Sequence, residues 1–289
     1  MARLVRILWA VFVLAFAAGP ALAKPPVWVI RDADSTIVLF GSVHMLPRGV
    51  DWAPKPLTDA LAAADDLWFE IPLDAASQAD IADQAARNAL LPPGQRLSGL
   101  LDPTSRARLK RIARRLRMPV EDIDPLQPWM AEVRLSIGML QTQGGLSNEG
   151  VEEQLAAIAP PRVQRRSFET GRQQIGILSG DDLATQLTSL KETLRELDRD
   201  PNAYRRMLRA WLAGDVRALD REAVEPIRKA TPKSYKSLVL DRNRAWIEII
   251  AGRLAGSGRT VMVVGAGHLV GPDSVPALLR ARGLAVEGP

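Results

Sequence analysis

Two short apolar runs at opposite ends of the chain, Thr36-Ile37-Val38-Leu39-Phe40 and Thr260-Val261-Met262-Val263-Val264, are closed by the same pattern, Gly-x-x-His. The first instance is Gly41-Ser42-Val43-His44 and the second Gly265-Ala266-Gly267-His268, and they hold both histidines of the 289 residues. A β-branched run ended by glycine reads as a buried strand breaking into a turn. Two such strands need one sheet, so the fold must bring the ends of the sequence together. Each histidine then lies just past a strand's carboxyl end, the edge of an α/β sheet where ligands and chemistry gather. Glycine three places before one histidine is ordinary in a chain with 21 glycines. The same placement before both favours a shared task over two satisfied core side chains.

The remaining strand signals sit near the same two ends. Residues 26–31 and 36–40, separated by Asp32-Ala33-Asp34-Ser35, predict a hairpin leading into the first Gly-x-x-His. Leu67-Trp68-Phe69-Glu70-Ile71 is a third apolar run, and Leu284-Ala285-Val286-Glu287 a last one, joined to 260–264 by a helix expected over 274–282 as a strand, helix, strand unit. Between them the apolar spacing is helical over 54–64, 75–91, 104–117, 128–143, 149–159, 181–198, 202–213 and 234–255. The expected fold class is therefore α/β (α+β): a sheet built from both ends, with a large helical region inserted. No fixed-period repeat or low-complexity linker marks a boundary, and 24–289 reads as one domain.

The first 23 residues read as a secretory leader, with Arg3 and Arg6, an apolar stretch over 7–18, and Ala21-Leu22-Ala23 as the cleavage site. The apolar stretch is shorter than the roughly 20 residues a membrane span needs, so no stable transmembrane anchor is expected after cleavage near Ala23. The expected destination is the periplasm or the exterior. Removing 23 of 289 residues leaves 266, and losing Arg3 and Arg6 takes the formal charge from +5 to +3. That balance gives no indication of nucleic-acid binding. The basic stretch 106–117 places Leu109, Ile112, Ala113 and Leu116 on one stripe, which reads as a solvated helix face. With no cysteine, thiolate catalysis, disulfides and Cys-based zinc sites are excluded.

Neutral imidazole is the commonest metal ligand, and a working site adds a carboxylate and an open position. Glu70 is the natural third candidate beside His44 and His268, as metal ligand or general base; an exposed strand-end charge is the alternative. The motif glycines Gly41 and Gly265 would let backbone pass close to a bound ion, or simply satisfy a turn. Glu169, in Ser167-Phe168-Glu169-Thr170 with Gln174, is either a second carboxylate or a first-turn helix charge. Arg242 and Asn243 stand in a long helix, where they either stabilise charge and position substrate or belong to a surface salt bridge.

Together these phrases resemble the TraB/GumN family, which includes the Tiki-type metalloproteases. The resemblance spans nearly all of 24–289 and includes Trp68-Phe69-Glu70, Arg242-Asn243 and the tail from Gly271-Pro272-Asp273-Ser274 to Gly283. It implies a divalent-metal site (zinc, manganese or cobalt) on His44, His268 and Glu70, peptide-bond hydrolysis with Glu70, Glu169, Arg242 and Asn243 as catalytic groups, and an architecture like the erythromycin-esterase and haem-uptake proteins. The implied partner is a peptide or an envelope protein substrate. This chain departs from the family at Gly150-Val151-Glu152, where Asp often replaces the Glu, and at Gly171, which is expected to interrupt a helix start. A non-catalytic envelope protein binding haem, metal or peptide is the competing expectation, and an accessory protein with a decayed site a third.

Overall fold

Residue by residue, the long buried strands explain the architecture. In the computed structural model, which describes residues 24–289, the two Gly-x-x-His runs are neighbours: β2 (Ser35–Ser42) pairs in parallel with β5 (Gly258–Gly265) along its whole length, Ile37 opposite Thr260 and Ser42 opposite Gly265. Alternate side chains of both strands enter different cores. Val38, Phe40, Val261 and Val263 pack on one face with Trp52, Leu57 and Trp211. Ile37, Leu39, Met262 and Val264 pack on the other with Trp28, Trp246, Ile250 and Leu279. Burial on both faces is why these runs are apolar throughout rather than alternating.

β1 (Val27–Arg31) forms the expected hairpin with β2, and β3 (Asp66–Phe69) lies parallel to β5 on its other side. β4 (Gln164–Ser167) pairs in parallel with β3, and β6 (Val286–Glu287) closes the opposite edge against β1. The six-stranded mixed sheet has the order β4-β3-β5-β2-β1-β6. The strand after the 275–281 helix thus runs parallel to β5 but is separated from it by two strands, those of the β1–β2 hairpin. Only two of the four residues in 284–287 are in the strand, paired with Val29 and Ile30, while Leu284 N–H still donates to the Leu279 carbonyl of the helix end.

The middle of the chain is helical as its spacing predicts, with ends displaced by a few residues: Lys55–Ala63, Ala75–Arg87, Pro103–Leu116, Pro128–Thr142, Val151–Ile158, Leu183–Arg199 and Ala203–Leu212. Leu97, Leu109, Ile112, Leu135, Leu190 and Leu194 form a third core, within this block and away from the sheet. Its basic helix, Pro103–Leu116, buries the predicted stripe through Leu109, Ile112 and Ala113, while Arg111 clasps Asp198 with two nitrogens. Gly171 does not interrupt a helix. It is the first residue of Gly171–Ser179, which Thr170 and Gln173 open with a reciprocal capping box. A Cβ there would lie 2.0 Å from Ile81 Cγ1, which accounts for the glycine.

The helix expected over 234–255 is made of Pro232–Tyr235, a π-helical turn over Lys236–Leu240, and Asp241–Leu254. Among the described residues no helix is long and apolar enough to cross a membrane. The leader expected at 1–23, with its cleavage site near Ala23, lies outside the described residues.

Candidate functional site

Four parallel strands, β4, β3, β5 and β2, end at one edge, and each is followed within three residues by a titratable side chain: Glu169, Glu70, His268 and His44. The Asp241–Leu254 helix crosses behind that edge and adds Arg242 and Asn243. Neither is a surface residue: the Arg242 side chain is about 10% exposed and Asn243 fully buried.

Arg242 is the hub. Its Nη2 donates to Glu70 Oε2 at 2.6 Å and to Glu169 Oε2 at 3.1 Å, its Nε to Glu169 Oε1 at 2.8 Å, and its Nη1 to the carbonyl of Leu238 at 3.3 Å in the π turn. Trp246, one helical turn on, lies under the guanidinium at 4.7 Å and donates its indole N–H to Glu169 Oε1 at 2.9 Å. The fork-shaped guanidinium thus pins two nearly buried carboxylates at once.

Asn243 sets the tautomer of His268. Its amide nitrogen donates to the Asp273 carbonyl at 2.8 Å, which turns Oδ1 toward His268 Nδ1 at 2.6 Å. Nδ1 therefore carries the proton. Nε2 presents a lone pair, which meets Arg242 Nη1 at 3.1 Å and lies 3.8 Å from Glu70 Oε1. Burial, with the Arg242 charge added, pushes the His268 pKa down to about 4 against the pull of Glu70, so the ring is neutral at physiological pH.

Burial works against the Glu70 carboxylate. Positive charge outweighs it, from His268 when that ring is protonated and from Arg242 and His44, and with the Gly265 N–H at 2.6 Å the pKa is held down to about 2. The motif glycines make this approach possible. A Cβ on Gly265 would sit 3.0 Å from Glu70 Oε1, and one on Gly41 would sit 3.0 Å from the Ala266 backbone.

His44 belongs to a second pair. Its Nδ1 lies 2.6 Å from Glu152 Oε1, which also accepts the Ser42 hydroxyl at 2.5 Å. Glu152, as a charge and as a hydrogen-bond partner, raises the His44 pKa to about 9 despite opposition from burial and Arg242. Much of the ring surface is accessible, but it opens into concave space. His44, Glu70, Glu152 and Gln174 line a cleft of about 310 Å³, and His44 also borders a larger cavity. Glu152 is the participant that sequence reasoning missed. It was visible only as a departure from Gly-Val-Asp; its partner lies more than a hundred residues earlier in the chain, and only the fold brings the two together. Asn243 is fully buried, and its side-chain oxygen meets His268.

Three carboxylates, Glu70, Glu152 and Glu169, face the Arg242 guanidinium and the His44 imidazolium, and the balance becomes three against one when His44 gives up its proton. Neutral imidazole with a fixed tautomer, ionised carboxylate and surplus negative charge are what a divalent cation requires, so in donor type and charge the cluster fits one. Among the described residues no set of three or more His, Cys, Asp or Glu side chains converges on a single point. The reason is local: Arg242 and the Gly265 N–H occupy both Glu70 oxygens, and Arg242 also meets His268 Nε2.

A sheet whose parallel strands deliver histidine and glutamate to one edge, backed by a buried Arg-Asn pair, defines an α/β protein with a polar cleft at its strand ends. The chain belongs to the TraB/PrgY/gumN family, whose model matches residues 26–288. It is similar to an uncharacterized protein of Treponema pallidum, 22% identical over 270 residues that cover 89% of this chain and 80% of the relative. It is also similar to the uncharacterized protein YbaP of Escherichia coli, 23% identical over 280 residues, 96% of this chain and 98% of the relative. YbaP of Shigella flexneri is 24% identical over 246 residues, 84% and 87% of the two chains. No solved structure matches the chain.

Proposed function

We propose that this protein is an exported, divalent-metal-dependent hydrolase acting on a peptide or an envelope protein, with His44, His268 and Glu70 holding the cation. The observation that carries the reading is the charge surplus: three carboxylates against the Arg242 guanidinium and a displaceable His44 proton, around a histidine whose Nε2 lone pair is kept free of a proton by Asn243. A bound cation would supply Lewis-acid polarisation of the scissile carbonyl. The chain's own groups do the rest. Asn243 keeps His268 in the ligating tautomer. Glu152 orients His44 through Nδ1 and leaves Nε2 as the nitrogen available to the cleft. Arg242 neutralises Glu169 and Glu70 and offers a positive charge where negative charge develops on the reacting carbonyl oxygen. The export signal lies in residues 1–23, and by its resemblance the architecture is of the erythromycin-esterase and haem-uptake type.

The test uses untagged protein stripped with a chelator and offered a mixed peptide library, then zinc, manganese or cobalt. Cleavage lost on stripping and restored by one of these ions, and absent in His44→Ala and His268→Ala, is the expected result. Cleavage that survives chelation, or that His44→Ala retains, sinks the reading. Because His44 Nε2 is protonated below about pH 9 in the cation-free protein, ion binding at pH 7.5 should also release about one proton, measurable by calorimetry in two buffers.

The competing reading, a binding protein without turnover, draws on the cavity of about 670 Å³ that adjoins His44. It predicts stoichiometric uptake of haem, metal or peptide with no product under any of these conditions.

A further inference from the structure

The 670 Å³ cavity lies in the helical block beside the strand-end cleft, with His44 on the boundary between the two. Its walls are apolar, built by Trp129, Val133, Ile137, Ile177 and Leu238. Two carboxylates stand among them. Glu132 Oε1 accepts the hydroxyls of Thr193 at 2.7 Å and Ser189 at 3.1 Å, and Asp181 accepts the hydroxyl of Ser234 at 3.1 Å. Neither makes an ion pair among the described residues, and burial raises the Glu132 pKa against the help of its two hydroxyl partners.

The composition of this lining is out of keeping with the chain. The sequence carries 38 lysines and arginines against 33 acidic residues, and most of its buried or half-buried acids are paired; this cavity has two acids and no lysine or arginine, and the His44 imidazolium at its edge is already paired with Glu152. A carboxylate kept at the wall of an apolar space without a cation costs stability, and hydroxyl donors compensate only part of that cost. The missing partner has a definite chemistry. It is positively charged, to meet Glu132 and Asp181, and it stands on an aliphatic stem, to lie along the tryptophan, valine, isoleucine and leucine walls.

We propose that this cavity is the specificity subsite for a cationic side chain of the substrate, a lysine or arginine next to the bond that reaches His44. The proposal rests on the hydrolase reading for the role of the site but not for its occupancy, and the two can fail separately. Glu132 and Asp181 supply the charge, and the apolar walls exclude the water that would otherwise screen it. The space exceeds one side chain, leaving room for a residue flanking the basic one.

Binding is measured by titration calorimetry on the full mature chain with two blocked tripeptides differing only in a central lysine or norleucine, and with n-hexylamine and n-hexanol as free-ligand probes. The lysine peptide is expected to bind about tenfold or more tightly than its norleucine counterpart, the scale of a charge-assisted hydrogen bond in a desolvated site. Glu132→Gln keeps an oxygen for Ser189 and Thr193 and should collapse that ratio to near one; Asp181→Asn should reduce it by a smaller factor. Thermal melting of each variant checks that it is folded.

Equal affinity for the two peptides, absence of binding by any probe, or a ratio unchanged in folded E132Q overturns the inference. Hexylamine binding as tightly as the lysine peptide overturns the substrate-side-chain assignment and leaves a free-amine site. A lysine preference in binding with no turnover in any metal ends the hydrolase reading and keeps the subsite. Metal-dependent turnover with no basic preference does the reverse.

Discussion

Replacing Arg242 by methionine keeps the unbranched stem but removes the guanidinium, with its charge and its contact over Trp246. Glu70 and Glu169, each about 10% exposed, then lose their shared cation. The Glu70 pKa, held down to about 2 by His268, Arg242, His44 and the Gly265 N–H together, should rise in the variant by the Arg242 share alone. Breaking a buried pair from one side typically costs about 3–5 kcal/mol because a charge is left uncompensated. Loss of that order should lower the melting temperature by about 10 °C in a chain of this size. Urea denaturation of wild type, Arg242→Met, Glu70→Gln and the double variant at pH 7 measures the coupling directly. The double variant should recover a substantial part of the loss, since Glu70→Gln removes one stranded charge. The lost contact over Trp246 is common to both backgrounds, so the coupling energy of the cycle separates the loss of charge from the loss of packing. A change under about 1 kcal/mol in Arg242→Met, the range of exposed pairs, would refute the claim that this ion cluster organises the sheet edge.

With two histidines in the chain, imidazole resonances can be followed without ambiguity. In cation-free protein one ring should titrate near 9 and the other near 4, and Glu152→Gln should bring only the higher value down toward 6.5. Because the folded pKa of His44 is raised, the stability its pair contributes is fully present below about pH 6.5 and fades as pH rises through about 9, so the Glu152→Gln penalty should shrink in alkaline urea melts. His268 behaves oppositely: its folded pKa is depressed, the unfolded chain takes up the proton first, and stability falls as pH drops from 6.5 toward 4 by up to about 1.4 kcal/mol per pH unit. His268→Gln should flatten the acid limb by that slope, and an unchanged limb would show that the ring is not held neutral.

The sheet was legible because its information is local and redundant. The middle of each long strand, 37–40 in β2 and 261–264 in β5, is buried on both faces and apolar, and a glycine, Gly41 or Gly265, follows each run where backbone packs close to its neighbour. The register that sets Gly41 opposite Val264 follows from no local signal, yet it is what aligns the two Gly-x-x-His turns. β6 was less legible: Leu284-Ala285-Val286-Glu287 suggested a full strand, but Leu284 N–H donates to the Leu279 carbonyl at the end of the preceding helix, and pairing with β1 begins only at Val286.

The site divides along the same line. Glu70 and the histidines announce themselves by position, immediately after apolar runs, because the strand-end location is itself encoded in short-range pattern. Arg242 and Asn243 do not, since an Arg-Asn pair in a helix is compositionally what a solvated face looks like. They are buried because three segments far away in sequence, after β3, after β4 and after β5, supply the acceptors Glu70, Glu169 and the carbonyl of Asp273, and the His268 ring. A polar group is stable in the interior only when its partners arrive with it, and here the partners come from three loops that no sequence window spans. Glu152 is the extreme case. Its carboxylate reads as a first-turn helix charge, and its role follows from one contact with a histidine 108 residues earlier. If that contact sets the protonation state of His44, replacing Glu152 by Asp shortens the reach by one methylene and should give a His44 pKa between those of the wild type and Glu152→Gln.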